Sequence, residues 1–341
     1  MHIPEPENSV AALVDRAHED ARQPPRPHMG ASLLGHPCDR WLWLGFRWAV
    51  VEKTGGRTLR LFRRGSLEEA TVVQDLRAIG VAVSNAGASQ SRVDFGSHVS
   101  GSCDGVVAGV PGASKATAVL EIKTHGDKSF KDVVANGVQK SKPGHWVQMQ
   151  IYMWGLNLNH ALYYAVNKND DRIYTELLYL DKVVAEKAIA RGKRIALDNR
   201  MPPPLSTDPS WYECRWCAAS DFCHSSKTTK EVNCRTCAHS TALENSTWLC
   251  ENYSVEIPKE AQRDGCKAHI LHPDLVPWKY KTFEHGVVWM TPWGDIQNGE
   301  GDANIYESTE ILANPKACAN GMASDLRDTF DARIIPDKDE A

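Results

Sequence analysis

The sequence has no long apolar run, and no stretch approaches the roughly 20 residues needed to cross a bilayer as a helix. Its opening, Met1-His2-Ile3-Pro4-Glu5-Pro6, lacks the basic-then-apolar pattern of a secretory leader. A cytoplasmic protein without a membrane partner is expected. An excess of positive charge is also missing. Lys and Arg number 39 against 43 Asp and Glu, giving a net charge of −4. Composition therefore gives no general pull toward nucleic acid, although one basic face can sit on an acidic protein. No internal repeat is present, which excludes solenoids and propellers. What remains is a globular composition, 42% hydrophobic and 24% charged over 341 residues. That length suits one large domain, or one large and one small.

The elements read in the order helices, short strands, helices, two strands, helix, which is an α/β pattern with a mixed sheet flanked by helices. Residues 8–22 suit a helix with Val10, Leu13 and Val14 on one stripe, followed by a proline-rich linker. Trp41 to Trp48 reads as a buried helix with Cys38 at its mouth. Arg57 to Gly80 reads as a longer helix with an approximate stripe at Leu59, Phe62, Leu67, Ala70, Val73 and Leu76. Short strands are expected over 81–110, helices near 131–138 and over 144–156, strands at 161–166 and 173–180, and a helix over 182–199. The chain divides into an N-terminal segment (1–30), a main domain (31–226), a cysteine-rich module (227–285) and an irregular extension (286–341) with little periodicity past Asn304.

Two short pieces carry the chemistry. In Val119-Leu120-Glu121-Ile122-Lys123-Thr124, strand alternation puts Glu121 and Lys123 on one face and Leu120 and Ile122 in a core. In Gly101-Ser102-Cys103-Asp104-Gly105, Asp104 precedes a glycine suited to a sharp turn. A hairpin closed through Gly109-Val110-Pro111-Gly112 brings Asp104 beside Glu121. Two carboxylates hold a hard divalent cation through oxygen, and a nearby ammonium orients water or offsets phosphate charge. Taken singly, an Asp and a Glu-x-Lys also suit an ordinary solvated strand face, and Gln148 with Tyr152 an ordinary amphipathic helix.

In order along the chain, Gly65 with Glu69, Asp104-Gly105, Glu121-Ile122-Lys123 and Gln148-Met149-Gln150-Ile151-Tyr152 resemble the PD-(D/E)xK nuclease superfamily, especially its RecB-like branch. The resemblance spans about Ser32 to Cys223. It departs at Cys103, where a proline often precedes the Asp. It implies a restriction-endonuclease-like mixed β-sheet core flanked by helices. It also implies Mg²⁺ or Mn²⁺ held by Glu69, Asp104, Glu121 and the backbone carbonyl of Ile122. Lys123 would position the attacking water, with Gln148 and Tyr152 completing the site. Glu68 is the alternative to Glu69, and the spacing from Gly65 favours Glu69.

Ten cysteines in a reducing compartment favour metal over disulfides. Cys214, Cys217 and Cys223 lack a fourth ligand, which Cys38 can supply. This arrangement is similar to the iron–sulfur nucleases, including CRISPR-associated RecB-like exonucleases and the nuclease half of AddAB, and implies a [4Fe–4S] cluster. The same four thiols would also serve zinc. Cys234, Cys237, Cys250 and Cys266 form a zinc-ribbon-like set for Zn²⁺, with His269 as the substitute for Cys266. Cys103 and Cys318 receive no role. Arg57, Arg60, Arg63 and Arg64, and Lys128, Lys131, Lys140 and Lys142, are candidate phosphate contacts or plain solvated faces. His125 and His145 read as bystanders.

The expected function is a metal-dependent DNA exonuclease acting on linear DNA with ends, in recombination, repair or phage replication, with a recombinase or single-strand annealing protein as a candidate partner. An endonuclease of the same fold and a non-catalytic DNA-binding scaffold are the alternatives. A zinc-finger regulator is disfavoured by the absence of a basic recognition helix beside Cys234.

Overall fold

A computed structural model of the chain describes residues 9–225, 228–284, 286–301, 304–319 and 321–335. Two compact units divide it: the residues up to Pro37 with Glu52–Arg194, and Cys38–Val51 with the residues from Ile195 on. No helix among the described residues is long and apolar enough to cross a membrane.

The first unit begins with α1 (Val10–Asp20), whose Ser9 cap accepts the Ala12 amide at 3.1 Å. Its stripe is not a core stripe, since Val10, Leu13 and Val14 are exposed. Polar contacts to a later helix hold α1 instead: Glu19 accepts the Gly56 amide at 2.7 Å and Asp15 pairs with Arg60 at 3.1 Å. Strand β1 (Met29–Gly30) follows; α2 (Asp39–Phe46) belongs to the second unit. Helix α3 (Gly56–Ala78) buries only the far end of its expected stripe, at Val73 and Leu76, together with the neighbouring Val72, while Phe62 and Leu67 are exposed.

The expected short strands are β2 (Ala82–Ser84), β3 (Arg92–Asp94), β4 (Val99–Ser102) and β5 (Gly105–Val110), followed by the long β6 (Ala113–His125). Then come α4 (Asp127–Ser141), α5 (Pro143–Gly155), β7 (His160–Asn167), β8 (Ile173–Tyr179) and α6 (Lys182–Leu197), within which the division between units falls. The main sheet runs β2-β5-β6-β7-β8; β6 and β7 are parallel and the other pairs antiparallel, so the sheet is mixed as expected. Strands β1, β4 and β3 form a small second sheet. One face of the main sheet packs Val107, Leu120, Ile122, Leu162, Tyr164 and Val166 against α3. Helices α4 and α5 lie against β6 and β7.

Two glycines set where those helices lie. Gly137 (φ 73°) breaks α4, and Glu176 of β8 takes the freed Val138 amide at 2.8 Å. Helix α5 starts with Pro143 at its first position, and a Cβ on Gly35 would come 2.5 Å from the Gly144 Cα. Only a residue without a side chain permits that approach.

In the second unit, Cys38 caps α2, its sulfur accepting the Trp41 amide at 3.4 Å. Two buried guanidinium groups brace this region. Arg235 stacks 3.8 Å from the Trp48 ring centre and Arg47 lies 4.8 Å from that of Trp43, both also facing Trp248. Their hydrogen bonds go to backbone carbonyls and amide side chains, including Phe46 O, Asn199 Oδ1 and Gln262 Oε1. After α7 (Ser220–His224), β9 (Ser240–Ala242), β10 (Trp248–Cys250) and β11 (Val255–Glu256) form a three-stranded antiparallel sheet.

The extension is not irregular. Strands β12 (Lys279–Phe283), β13 (Gly286–Thr291), β14 (Gly294–Gly299) and β15 (Ile305–Tyr306) form a sheet in chain order, followed by α8 (Ser308–Ala313), α9 (Pro315–Cys318) and α10 (Gly321–Phe330). Val287, Trp289, Ile296, Tyr306, Ile311 and Cys318 share a core with Ile270 and Leu271, so Cys318 is a packing residue. The pattern is obscure in sequence because β12 buries no residue and β14 sets a buried polar residue, Asn298, beside the buried Ile296.

Candidate active site

The β5–β6 hairpin forms as the sequence predicts, with Gly105 opposite Leu120. Asp104, just ahead of β5, accepts the Ile122 amide at 2.7 Å, which ties it to the Glu-x-Lys strand. Glu121 and Lys123 share a face and form an ion pair through Glu121 Oε1. Gln148, on α5, donates to the same oxygen at 2.7 Å. Glu121 is fully buried, and its other oxygen, Oε2, has no hydrogen-bond partner among the described residues. Tyr152 is one turn further along α5, in hydrogen-bond contact with Gln148. A Cβ on Gly101 would meet the Tyr152 hydroxyl at 2.8 Å, so the glycine makes room for it.

The charges act on each other. Burial pushes the Glu121 carboxyl up to about 7; Lys123 opposes this and Asp104 and Glu69 add to it. Burial and then Asp104 raise Glu69, with Lys123 opposing. Asp104 is raised by burial against the pull of Lys123 and the Ile122 amide. Burial alone lowers the Lys123 ammonium, but Glu121, Asp104 and Glu69 outweigh it and hold the pKa above its ordinary value. Glu69 is thus one of the converging acids. Glu68 acts on Tyr164, a residue of the core on the α3 side of the sheet. Cys103 is buried beside the site, its thiol pushed up to about 11 by burial and next by Glu121.

The same end of α5 carries a second set of contacts that no sequence pattern announces. Tyr163 lies opposite Glu121 in the β6–β7 register and is fully buried. His125 Nε2 is 2.7 Å and His145 Nδ1 3.0 Å from its hydroxyl, and His125 Nδ1 is 3.0 Å from Ser129 Oγ. In the sequence, the three-residue step from His145 to Gln148 is the one trace of this set, placing both on one helix face. Among the candidate phosphate contacts, Arg60 pairs with Asp15, Lys131 with Asp127 and Lys142 with Asp132. Arg64 donates to the Lys168 carbonyl at 3.1 Å.

In the second unit, Cys38 raises the thiols of Cys214, Cys217 and Cys223, in each case behind burial, which places the four sulfurs in one neighbourhood. Cys234, Cys237, Cys250 and Cys266 line one small cavity with His239 and His269. His269 is engaged elsewhere: Nδ1 faces Ser308 Oγ at 2.8 Å and Nε2 faces the Asn233 carbonyl at 3.1 Å. Of the two candidates for the last position, Cys266 is the one left with its ligand atom available. As the side chains lie, no three His, Cys, Asp or Glu among the described residues close on a common point as a ready metal-binding group.

No family model and no curated protein matches the chain. Among solved structures, the chain is similar to SSO0001, at 14% identity and a TM-score of 0.40, over 64% of this chain and 98% of that one. It is similar to an alkaline exonuclease from Laribacter hongkongensis at 16% identity and a TM-score of 0.35, over 53% of this chain and 90% of that one. A phage related exonuclease from Haemophilus somnus 129PT is similar at 20% identity and a TM-score of 0.27, over 38% of this chain and 65% of that one.

Proposed function

We propose that this chain is a metal-dependent deoxyribonuclease that hydrolyses phosphodiester bonds from DNA ends. One observation carries the reading: a fully buried carboxylate oxygen, Glu121 Oε2, has no hydrogen-bond partner among the described residues, while Asp104, Glu69 and Lys123 all act on its group. An oxygen in that state suits a hard divalent cation better than it suits solvent-free isolation. Glu69, Asp104, Glu121 and the Ile122 carbonyl would hold Mg²⁺ or Mn²⁺. Bound there, the ion supplies an activated water and neutralises charge on the phosphate.

The protein's own groups do the positioning. Gln148 and Lys123 both engage Glu121 Oε1, leaving Oε2 for the ion. Lys123 stays an ammonium, so it acts as a donor to the water or to a phosphate oxygen and not as a base. Tyr152 braces Gln148. Cys38, Cys214, Cys217 and Cys223 would hold a [4Fe–4S] cluster, and Cys234, Cys237, Cys250 and Cys266 a structural Zn²⁺, each tightening the second unit.

The test is a nuclease assay with Mg²⁺ or Mn²⁺ on linear and covalently closed circular DNA. Linear DNA is degraded, circular DNA is left intact, and Lys123→Ala is inactive while still binding DNA. Full activity in that variant rejects the site, and cutting of the circle assigns an endonuclease.

A further inference from the structure

The hydrogen-bonded row beside the acids has a direction problem, and its solution assigns a role to His145. A phenol has one proton, so Tyr163 donates to one imidazole and accepts from the other. His125 Nε2 and His145 Nδ1 are both within reach of that hydroxyl, at 2.7 and 3.0 Å. Only two arrangements satisfy every group. In one, Ser129 donates to His125 Nδ1, His125 Nε2 donates to Tyr163, and Tyr163 donates to His145 Nδ1, so that His145 carries its proton on Nε2. In the other, every proton is displaced one step the opposite way, and His145 Nε2 is bare. Both are neutral throughout. Burial first, and then nearby lysines, hold His125 at about 4 and His145 at about 3, which keeps the rings uncharged near pH 7.

His125 and Tyr163 are buried, whereas both ends of the row, Ser129 and His145, are half-buried; of the two, His145 is the end on the helix that carries Gln148. It is also three residues before Gln148 on α5, hence on the same helix face as the residue that holds Glu121. An anion arriving at that end selects the first arrangement, because only there does Nε2 present a proton.

We propose that His145 contacts a phosphate of the DNA substrate as a neutral N–H donor, its tautomer set through Tyr163 by His125. This rests on the nuclease reading for the identity of the anion. The two can be separated by experiment. In steady-state kinetics, His145→Leu is expected to raise KM for DNA on the order of 10-fold, the loss of one hydrogen bond to a charged group, with kcat within about twofold. His145→Gln, which keeps an N–H close to the position of Nε2, restores most of the affinity, and Tyr163→Phe falls between the two. An unchanged KM in His145→Leu overturns the assignment, as does a His145→Gln variant no better than His145→Leu. If the wild-type chain cuts no DNA with either metal, the nuclease reading fails by itself. The row is then judged by ¹⁵N NMR of the imidazoles in the full chain, with and without inorganic phosphate. Phosphate should shift both His145 and His125 toward the Nε2–H tautomer in the wild type, and His145 alone in Tyr163→Phe, where no hydroxyl links the two rings; equal His125 spectra of the two proteins overturn the proposal.

Discussion

Glu121→Gln separates what the acid does for catalysis from what it costs the fold. Glu121 is fully buried and its carboxyl is pushed from 4.5 up to about 7, by burial first and by Asp104 and Glu69 after it. A carboxyl raised on folding binds its proton more tightly in the native state. Native stability is therefore undiminished below pH 4.5, falls as pH climbs to about 7, and stays reduced above that. At about 1.36 kcal/mol for each pH unit between the two values, the deficit above pH 7 is roughly 3 kcal/mol. The amide that replaces the carboxyl keeps an oxygen for Lys123 and Gln148 and never ionises. In EDTA, Glu121→Gln should melt higher than wild type at pH 8 by about 6–12 °C, taking roughly 2–4 °C per kcal/mol for a domain of this size. The gap should close at pH 4.5, and added Mg²⁺ should narrow it at pH 8 by stabilising only the wild type. Nuclease activity should be lost throughout. The readout is far-ultraviolet circular dichroism across a pH series. A difference independent of pH, or a variant that melts lower at pH 8, refutes the reasoning.

Lys123→Ala should abolish cleavage while DNA affinity, measured by fluorescence anisotropy in Ca²⁺, changes less than about threefold, since one partly exposed phosphate contact contributes little. Gly35→Ala forces a Cβ against the Gly144 backbone and should cost on the order of 1–3 kcal/mol in denaturant melts, lowering activity by shifting α5 with Gln148 and Tyr152. Metal analysis of protein purified without oxygen should find iron and inorganic sulfide together with about one zinc per chain; zinc alone would assign both cysteine sets to zinc. Cys38→Ala should lose the iron and lower the melting temperature of the second unit, and an unchanged melt would show that Cys38 is not a ligand.

The sheet and the acids were legible because they depend on local rules. Alternation in β6 fixes which way Glu121 and Lys123 point, and Pro111-Gly112 fixes the hairpin that brings Asp104 to Ile122. Of the two adjacent glutamates, Glu69 is the one that feels Asp104 and Lys123, whereas Glu68 acts on Tyr164 on the other side of the sheet. The exposed front of α3 and the polar seating of α1 were not legible, because an apolar stripe says that a face exists and not what covers it. Tyr163 carried no signal: a tyrosine in an apolar strand reads as core until its register partner is known. The strands after residue 278 were hidden because β12 buries no residue and β14 buries the polar Asn298 beside Ile296, and the engagement of His269 by Ser308 and Asn233 depends on contacts distant in sequence.

The stacked arginines have an optical consequence. Nine of the eleven tryptophans, Trp43, Trp48 and Trp248 among them, belong to the second unit; only Trp146 and Trp154 belong to the first. An emission melt therefore follows chiefly the cysteine-rich half, where indoles pressed against guanidinium groups change their surroundings when that half opens. The gain in stability expected of Glu121→Gln can therefore leave such a trace untouched, and a fluorimeter would report no change while the sheet that bears Glu121 has become the sturdier half.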